Sequence, residues 1–168
     1  MMDDKYEVYF HEIRHQRRPV GRREHWDEKS LVIRGSSLKW FDGGSLGNPS
    51  KIAPVLDLPV KSFEVFIQEI PAGGASDMQR HQHETVHIVT SGSGYSEIGG
   101  RSLSWGEGDF IYTPPMVWHR HYNGDPQNPV RMIGIENSRL LDHLLLNYRE
   151  SRGEISWAEL PAADREDP

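Results

Sequence analysis

Two stretches of the sequence decide the fold: GASDMQRHQHETVHIVTSGSG at residues 74–94 and GDFIYTPPMVWHRHYN at residues 108–123. Both consist of short runs rich in β-branched and aromatic residues, which glycines and prolines interrupt. The pattern continues on either side, and strands at a spacing of about 8–12 residues are typical of a sandwich or barrel. We predict strands over residues 63–70, 78–83, 86–91, 94–98, 101–105, 109–113, 117–122 and 130–136.

The composition limits the class of protein. The chain has 168 residues, which is enough for one domain. It has no cysteine, and this excludes a disulfide framework, thiolate metal sites, iron–sulfur clusters and cysteine nucleophiles. Its formal charge of −6 argues against nucleic acid as a partner. No apolar run approaches the ~18 residues of a membrane span, and the segment from Met1 to Lys5 lacks a secretion signal. We therefore expect a cytoplasmic protein that does not enter a membrane.

The N-terminal residues 1–30 differ in composition from the rest of the chain, because they are polar and rich in arginine. Such a segment cannot build a core by itself, so we interpret it as an arm. Its few apolar residues are predicted to pack on a partner subunit in a homodimer. These are Tyr6, Val8, Phe10 and Trp26.

The remaining chain is predicted to form a barrel over residues 31–150, opening with a strand pair at 31–40. Leucines that recur with helical spacing predict one C-terminal helix at about 138–149, packed outside a sheet. Residues 151–168 are interpreted as a polar tail, disordered from Ala162 onward.

Histidine is concentrated in one part of the sequence, where five of the nine fall within 41 residues. His81 and His83 are two apart, which places them on one face of a strand and within reach of one metal ion. His87 can join them if the chain bends at Glu84–Thr85, and His119 comes from a different strand. A lone histidine is more often a surface or core residue, so the arrangement as a whole indicates the site. Three or four neutral imidazoles suit Fe(II), Mn(II), Ni(II), Cu(II) or Zn(II).

The spacing of these residues resembles the first motif of the cupin family. That motif runs glycine, five residues, His-x-His, three or four residues, glutamate, six residues, glycine. This chain has Gly74, His81, His83, His87 and Gly94 at the matching places, with a first spacer one residue longer. The chain therefore departs from the family at His87, which stands where the metal-binding glutamate is usual.

The second cupin motif is also present. It runs glycine, five residues, Pro-x-Gly, two residues, histidine, three residues, asparagine. This chain has Gly108, Pro114, His119 and Asn123 at those places, with Met116 in place of the second glycine. The resemblance implies an all-β fold, a cupin-type β-barrel (double-stranded β-helix or jelly roll).

The resemblance further implies one divalent metal ion per chain, held by His81, His83, His119 and, at the usual place of the glutamate, His87. A site without a carboxylate keeps the full divalent charge, so it should attract anionic, chelating substrates. The second motif is also similar to that of gentisate 1,2-dioxygenases, in its Thr-Pro-Pro and Trp-His-x-His-x-Asn segments. Those enzymes open an aromatic ring with Fe(II) and O₂.

We therefore predict a mononuclear Fe(II) dioxygenase that cleaves a C–C bond in a small aromatic or dicarbonyl-like anion. Mn(II), Ni(II) and Zn(II) remain alternatives for the metal. His121 is the candidate catalytic residue, as a base or a hydrogen-bond donor to the substrate, or else a histidine at the barrel mouth. Tyr112 and Met116 are the candidate residues of the substrate pocket, although aromatic residues in barrels more often belong to the core.

Two other functions stay open on the sequence alone. Four histidine ligands leave two positions of an octahedron, and a bidentate substrate would fill both before O₂ could bind. A redox-neutral lyase, isomerase or cyclase with a Lewis-acid metal avoids this difficulty. A metal-dependent binding protein without turnover avoids it as well.

Overall fold

The computed structural model describes residues 28–42 and 48–165. Within these residues, ten strands pair into two antiparallel sheets of five strands each. The strands are β1 Lys51–Pro54, β2 Glu64–Ile70, β3 Gln79–His81, β4 Thr85–Ser91, β5 Ser93–Ile98, β6 Arg101–Gly106, β7 Phe110–Thr113, β8 His119–Asn123, β9 Val130–Glu136 and β10 Arg149–Ser151. The first sheet has the order β1-β2-β9-β4-β7, and the second has the order β10-β3-β8-β5-β6.

Few helices accompany the sheets in the described part of the chain. They are α1 Glu28–Leu31, α2 Ser138–His143 and α3 Ala162–Arg165, with 3-10 turns at Gly35–Ser37 and Trp157–Glu159. None of these helices has the length and apolar character needed to cross a membrane. The predicted all-β fold is confirmed, and β2 to β9 fall on the predicted strands with small shifts at their ends.

The two sheets enclose an interior that changes character along the strands. In the register of β2 with β9, Ile70 lies opposite Val130 at one end, and Glu64 lies opposite Glu136 at the other. The apolar end holds a cluster from both sheets, so the sheets face each other across it. This cluster consists of Ile70, Val89, Trp105, Ile111, Val130 and Met132, with Ile98 packed against it. The opposite end of the interior is lined by polar side chains.

The predicted strand pair at residues 31–40 is wrong. The chain there turns through the 3-10 helix Gly35–Ser37, where the backbone and the hydroxyl of Ser37 both donate to the carbonyl of Arg34. Leu31 and Val32 are each 56% exposed, so no sheet covers the apolar side that a strand pair would need. Pairing begins only with the bridge between Phe41 and Ile52. The predicted arm lies outside the described residues up to position 27, and its packing on a partner subunit stays a prediction.

The C-terminal part also differs from its prediction. Helix α2 ends at His143 rather than near 149, because Leu145 adopts a positive φ of 58° and is 92% exposed. The leucine stripe has no sheet beneath it in the described residues, and burial of an apolar face is what stabilises most protein helices.

The predicted polar tail is largely ordered. β10 pairs with β3, and α3 begins at Ala162, where disorder was expected. Leu160 is 2% exposed and packs with Met78 and Trp118 in a second apolar cluster. The C-terminal segment therefore covers the outer side of the second sheet.

Candidate functional site

The polar end of the interior contains a cavity of about 170 Å³ between the two sheets. Both sheets contribute to its wall, together with the segment that leads into β1. The lining residues are Asn48, Ile52, Pro54, Glu64, Phe66, Gln68, Gln79, His81, His83, Thr85, His87, Glu136 and Arg149. An apolar cavity of about 150 Å³ holds one benzene molecule, so this volume suits a single small ring.

The structure brings all five histidines of the predicted cluster together at this end. His81 closes β3, and the bend that follows lies at Gln82–His83, slightly earlier than predicted. His87 points inward from β4. The paired His119 and His121 point inward from β8 because residues two apart in a strand share a face. All five side chains are buried, with exposures between 1% and 6%.

The imidazole rings contact one another directly. The ring centroids of His81 and His83 are 3.7 Å apart in a stacked arrangement, and those of His81 and His119 are 4.7 Å apart. His87 lies 4.8 Å from His121 across the two sheets, and His121 lies 5.6 Å from His119. Strands β3, β4 and β8 therefore bring their histidines to one place.

Hydrogen bonds fix the orientation of three rings. Nδ1 of His81 donates to the carbonyl of His83 at 2.7 Å, and Nδ1 of His119 donates to the carbonyl of Val117 at 2.9 Å. Because a carbonyl can only accept, these bonds place the proton on Nδ1 and leave Nε2 as an electron-pair donor. Nδ1 of His121 bonds to the hydroxyl of Ser96 at 2.7 Å, which the indole of Trp105 also contacts.

Three buried ring nitrogens have no hydrogen-bond partner. These are Nδ1 of His87, Nε2 of His119 and Nε2 of His121. A buried polar atom without a partner costs free energy, on the order of 1–3 kcal/mol. Imidazole nitrogens are also the donors that first-row transition metals prefer. The donor set therefore fits a divalent cation, although no three metal-binding side chains of the described residues are yet arranged around a common point.

Burial keeps these imidazoles neutral. The pKa values of His81, His87 and His119 are lowered to about 3, first by burial and then by the charges of neighbouring histidines. The pKa of His121 is lowered well below its usual value, by burial and then by His87. Neutral imidazole is the form that binds a metal, so the cluster is competent for binding throughout the neutral pH range.

His83 differs from the other four histidines because both of its ring nitrogens have partners. Nε2 lies 3.2 Å from Oε2 of Glu136, and Nδ1 lies 3.1 Å from the side-chain oxygen of Asn147. Burial alone would lower the pKa of His83, but the hydrogen bond and charge of Glu136 and the contact with Asn147 together raise it. His83 and Glu136 form a partly ionic pair at the cavity wall.

Sequence reasoning missed Glu136 and Arg149, which both line the cavity. Glu136 is the last residue of a correctly predicted strand, and it follows Met132 and Gly134 on the same inward face. The alternation of inward and outward side chains along this strand was the signal that could have identified Glu136. Arg149 had no such signal, because β10 was not predicted.

Two predicted pocket residues lie away from the histidine cavity. Tyr112 is 50% exposed and donates a hydrogen bond to the carboxylate of Glu84 at 2.7 Å. Met116 is half-buried, adopts a positive φ of 58° where the motif has glycine, and donates its backbone N–H to the carbonyl of His81. Neither side chain is among those that line the cavity.

Comparison with known proteins places the central strands in a known family. The family model described as "Cupin domain" matches residues 66–136. Over 46 residues the chain is 41% identical to a 5-aminosalicylate 1,2-dioxygenase of Comamonas sp, a match that covers 27% of this chain and 12% of that protein. Over 71 residues it is 30% identical to gentisate 1,2 dioxygenase 1 of Aquipseudomonas alcaligenes, covering 42% and 20%. The matches therefore span a fifth or less of those relatives.

Solved structures agree on the fold. A salicylate 1,2-dioxygenase variant from Pseudoaminobacter salicylatoxidans in complex with gentisate superposes with a TM-score of 0.56 at 14% identity, covering 65% of this chain and 30% of that one. A cupin-2 domain from Rhodospirillum rubrum superposes with a TM-score of 0.55 at 17% identity, covering 64% and 74%. The family match runs from β2 to β9, which hold all five clustered histidines, so over residues 66–136 the chain matches a cupin domain.

Proposed function

We propose that the chain is a metal-dependent dioxygenase that acts on a small aromatic anion. One divalent ion per chain is held by histidines drawn from His81, His83, His87 and His119, and Fe(II) is the metal that suits this chemistry best. The observation that carries the proposal is the set of unpartnered ring nitrogens buried beside the cavity. The two dioxygenases that resemble parts of the chain favour this reaction over others that cupins perform.

The chain's own residues would prepare the site before any ligand arrives. The carbonyls that accept from His81 and His119 hold Nε2 of both rings ready, so no proton has to leave them first. Ser96 and Trp105 fix the ring of His121, the candidate catalytic residue, which contacts His87 but is not among the residues that line the cavity. When bound, Fe(II) would supply the one-electron chemistry that O₂ requires.

The contact between His83 and Glu136 bears on how many histidines bind the metal. While Nε2 of His83 stays on Glu136, the proposed set reduces to His81, His87 and His119. Three ligands leave three positions of an octahedron, which is enough for a bidentate substrate and O₂ together. We propose that His81, His87 and His119 would hold the metal, and that His83 would serve as a fourth ligand only when its contact with Glu136 is released.

Metal content provides the first test. Protein purified without a polyhistidine tag should contain about one equivalent of a first-row metal by elemental analysis. The variant His119→Ala should lose it, whereas His143→Ala, which removes an exposed histidine of α2, should retain it. If the wild-type protein does not retain stoichiometric metal after Fe(II) is added under argon, the proposal is wrong.

Oxygen consumption provides the second test. Fe(II)-loaded protein should consume O₂ when salicylate, gentisate or 5-aminosalicylate is added, and loss of the ring absorbance should accompany the uptake. Fe(II)-loaded His143→Ala should behave like the wild type.

The second candidate is a redox-neutral enzyme with a Lewis-acid metal. It is favoured if all four histidines bind at once, because two free positions then suffice for a chelating substrate but not for O₂ in addition. Product formed under argon would indicate this function. Stoichiometric ligand binding without turnover would instead indicate the third alternative, a metal-dependent binding protein.

A further inference from the structure

A cationic side chain reaches the cavity from outside the strands that match the cupin family. Strand β10 lies beyond residues 66–136 and pairs with β3, so that Arg149 is directly opposite His81. Glu150 instead lies opposite Arg80 and bonds to it at 2.9 Å. Because side chains alternate along a strand, Arg149 and Ser151 share the other face, and Arg149 lines the cavity beside His81 and His83.

The guanidinium group of Arg149 is held in place by two acceptors. Nε donates to the side-chain oxygen of Gln79 at 2.8 Å, and Nη2 donates to Oδ2 of Asp77 at 3.1 Å. Asp77 is fully buried and also accepts from the hydroxyl of Ser151 at 2.7 Å. A buried carboxylate with fixed partners orients the cation, while the Arg149 side chain remains 43% exposed. A planar cation held this way is suited to bind a carboxylate with little loss of side-chain freedom.

Charge is distributed unequally between the two walls of the cavity. The first sheet contributes the carboxylates of Glu64 and Glu136, which are opposite each other on β2 and β9. The second sheet contributes Arg149. After burial, which is the largest cause, the charge of Arg149 is among the contributions that lower the pKa of His119, so its field extends into the site. An anion entering the cavity is repelled from one wall and attracted to the other.

We propose that Arg149 binds the carboxylate of the substrate and so selects aromatic monocarboxylates over their neutral analogues. This inference rests on the proposed function, since it assigns one residue to the recognition of the same small aromatic anion. The carboxylate lies on the wall formed by the second sheet, and the rest of the ring points towards His87 and Glu136. Substrate preference therefore depends on a strand that the cupin motifs do not include.

The test compares salicylate with its neutral isostere salicylamide, using the Fe(II)-loaded full chain under argon so that no turnover occurs. Isothermal titration gives Kd for both ligands. We expect the wild type to bind salicylate at least tenfold more tightly than salicylamide, because charge-assisted hydrogen bonds are roughly twice as strong as neutral ones. Arg149→Gln should reduce this ratio at least severalfold, to the part that the charge of the metal contributes, and Arg149→Lys should keep more of it.

Arg152→Gln is the matched control. It removes one positive charge three residues further along, where Arg152 pairs with Asp164 and stacks on Trp118 rather than lining the cavity. Its ratio should equal that of the wild type. Because Arg149→Gln leaves Asp77 without a cation, Asp77→Asn/Arg149→Gln makes the same comparison with a neutral pair if the single variant does not fold.

Two results would overturn the inference: a wild-type ratio near one, or a ratio that Arg149→Gln leaves unchanged. The metal content of each sample is measured separately, and the titrations are repeated on metal-free protein. A chain that binds no metal but still loses its preference for salicylate in Arg149→Gln would contradict the dioxygenase proposal and support the role of Arg149. A metal-loaded chain that keeps its preference for salicylate in Arg149→Gln would contradict the role of Arg149 and support the dioxygenase proposal.

Discussion

The two ends of the barrel interior are built by the same strands but do different things. At the apolar end, both sheets contribute to a closed cluster that includes Ile70, Val130 and Met132, each 0% exposed. At the histidine end, three imidazoles and the side chains of Glu136 and Arg149 line a cavity, and the rings of His119 and His121 lie buried against these imidazoles. In β9 the inward positions run Val130, Met132, Gly134, Glu136, so the character changes within seven residues.

The difference teaches that stability and chemistry can be changed separately in this fold. The apolar end has few polar atoms to satisfy, and its burial contributes about 25 cal/mol per Å² of apolar area. The histidine end contains unpartnered nitrogens and neutral imidazoles, which cost free energy unless a cation binds. Acid should therefore act at the histidine end alone, and loss of core volume should act at the apolar end alone.

Acidification of the metal-free protein should produce the largest effect. Above pH 6.5 these histidines are neutral in both the folded and the unfolded chain. Below pH 6.5 the histidines of the unfolded chain bind protons. In the folded chain His81, His87 and His119 stay neutral until about pH 3. At pH 5 each therefore lowers the free energy of unfolding by up to about 2 kcal/mol, from 1.5 pH units at about 1.36 kcal/mol each. Urea unfolding in chelator at pH 7.5 and pH 5 measures the loss.

The raised pKa of His83 has the opposite sign, because its contact with Glu136 stabilises the charged form at low pH. The variant His87→Gln provides the control for the acid effect. It removes one of the histidines that resist protonation, so the slope of stability against pH should fall by about one proton. The slope of the free energy of unfolding against pH is measured between pH 7.5 and pH 5. A wild-type slope that corresponds to less than one proton would contradict the assignment of neutral buried imidazoles.

Truncation at the apolar end should lower stability without affecting the metal. Met132 is fully buried in the cluster with Ile70 and Val89. Met132→Ala should therefore cost about 2–5 kcal/mol in the free energy of unfolding, through lost burial and the cavity left behind. Metal content per folded chain should be unchanged, because the histidines come from other positions. A loss of both stability and metal would show that the two ends are coupled.

Removal of a histidine should weaken metal binding more than it lowers stability. Truncation of His119 to Ala removes a buried ring and its hydrogen bond to the carbonyl of Val117, but it also removes a buried Nε2 that has no partner. His119→Ala should weaken metal binding at least a hundredfold, measured by competition with a chelator at pH 7.5. Its melting temperature without metal should fall less than that of Met132→Ala, because the relief of the unpartnered Nε2 offsets part of the lost packing. His83→Ala should weaken binding less, since His83 must first leave Glu136.

The sequence predicted the histidine end well where motif spacing specified it. Glycine punctuation and alternation are local signals, and they placed β2 to β9 and all five clustered histidines. They could not reveal β10, because its three residues gain their strand conformation from pairing with β3 some 70 positions away. Arg149 was missed for that reason, and the predicted helix was too long because spacing alone does not show whether a leucine stripe is covered.

The smallest effect is expected at the boundary between the two ends, where Gly134 lies opposite both His87 and Phe66. A Cβ at position 134 would overlap the ring of Phe66, and that ring packs edge-on against His87 at 5.7 Å. Gly134→Ala should therefore cost about 1–3 kcal/mol of stability through overpacking. The displaced Phe66 ring should also shift His87 and weaken metal binding about tenfold.

The variant Gly134→Ala/Phe66→Leu provides the control, because the smaller side chain makes room and should restore much of the metal affinity. Equal metal affinity in Gly134→Ala and the wild type would show that His87 is not held by Phe66, and that the apolar end does not position this histidine.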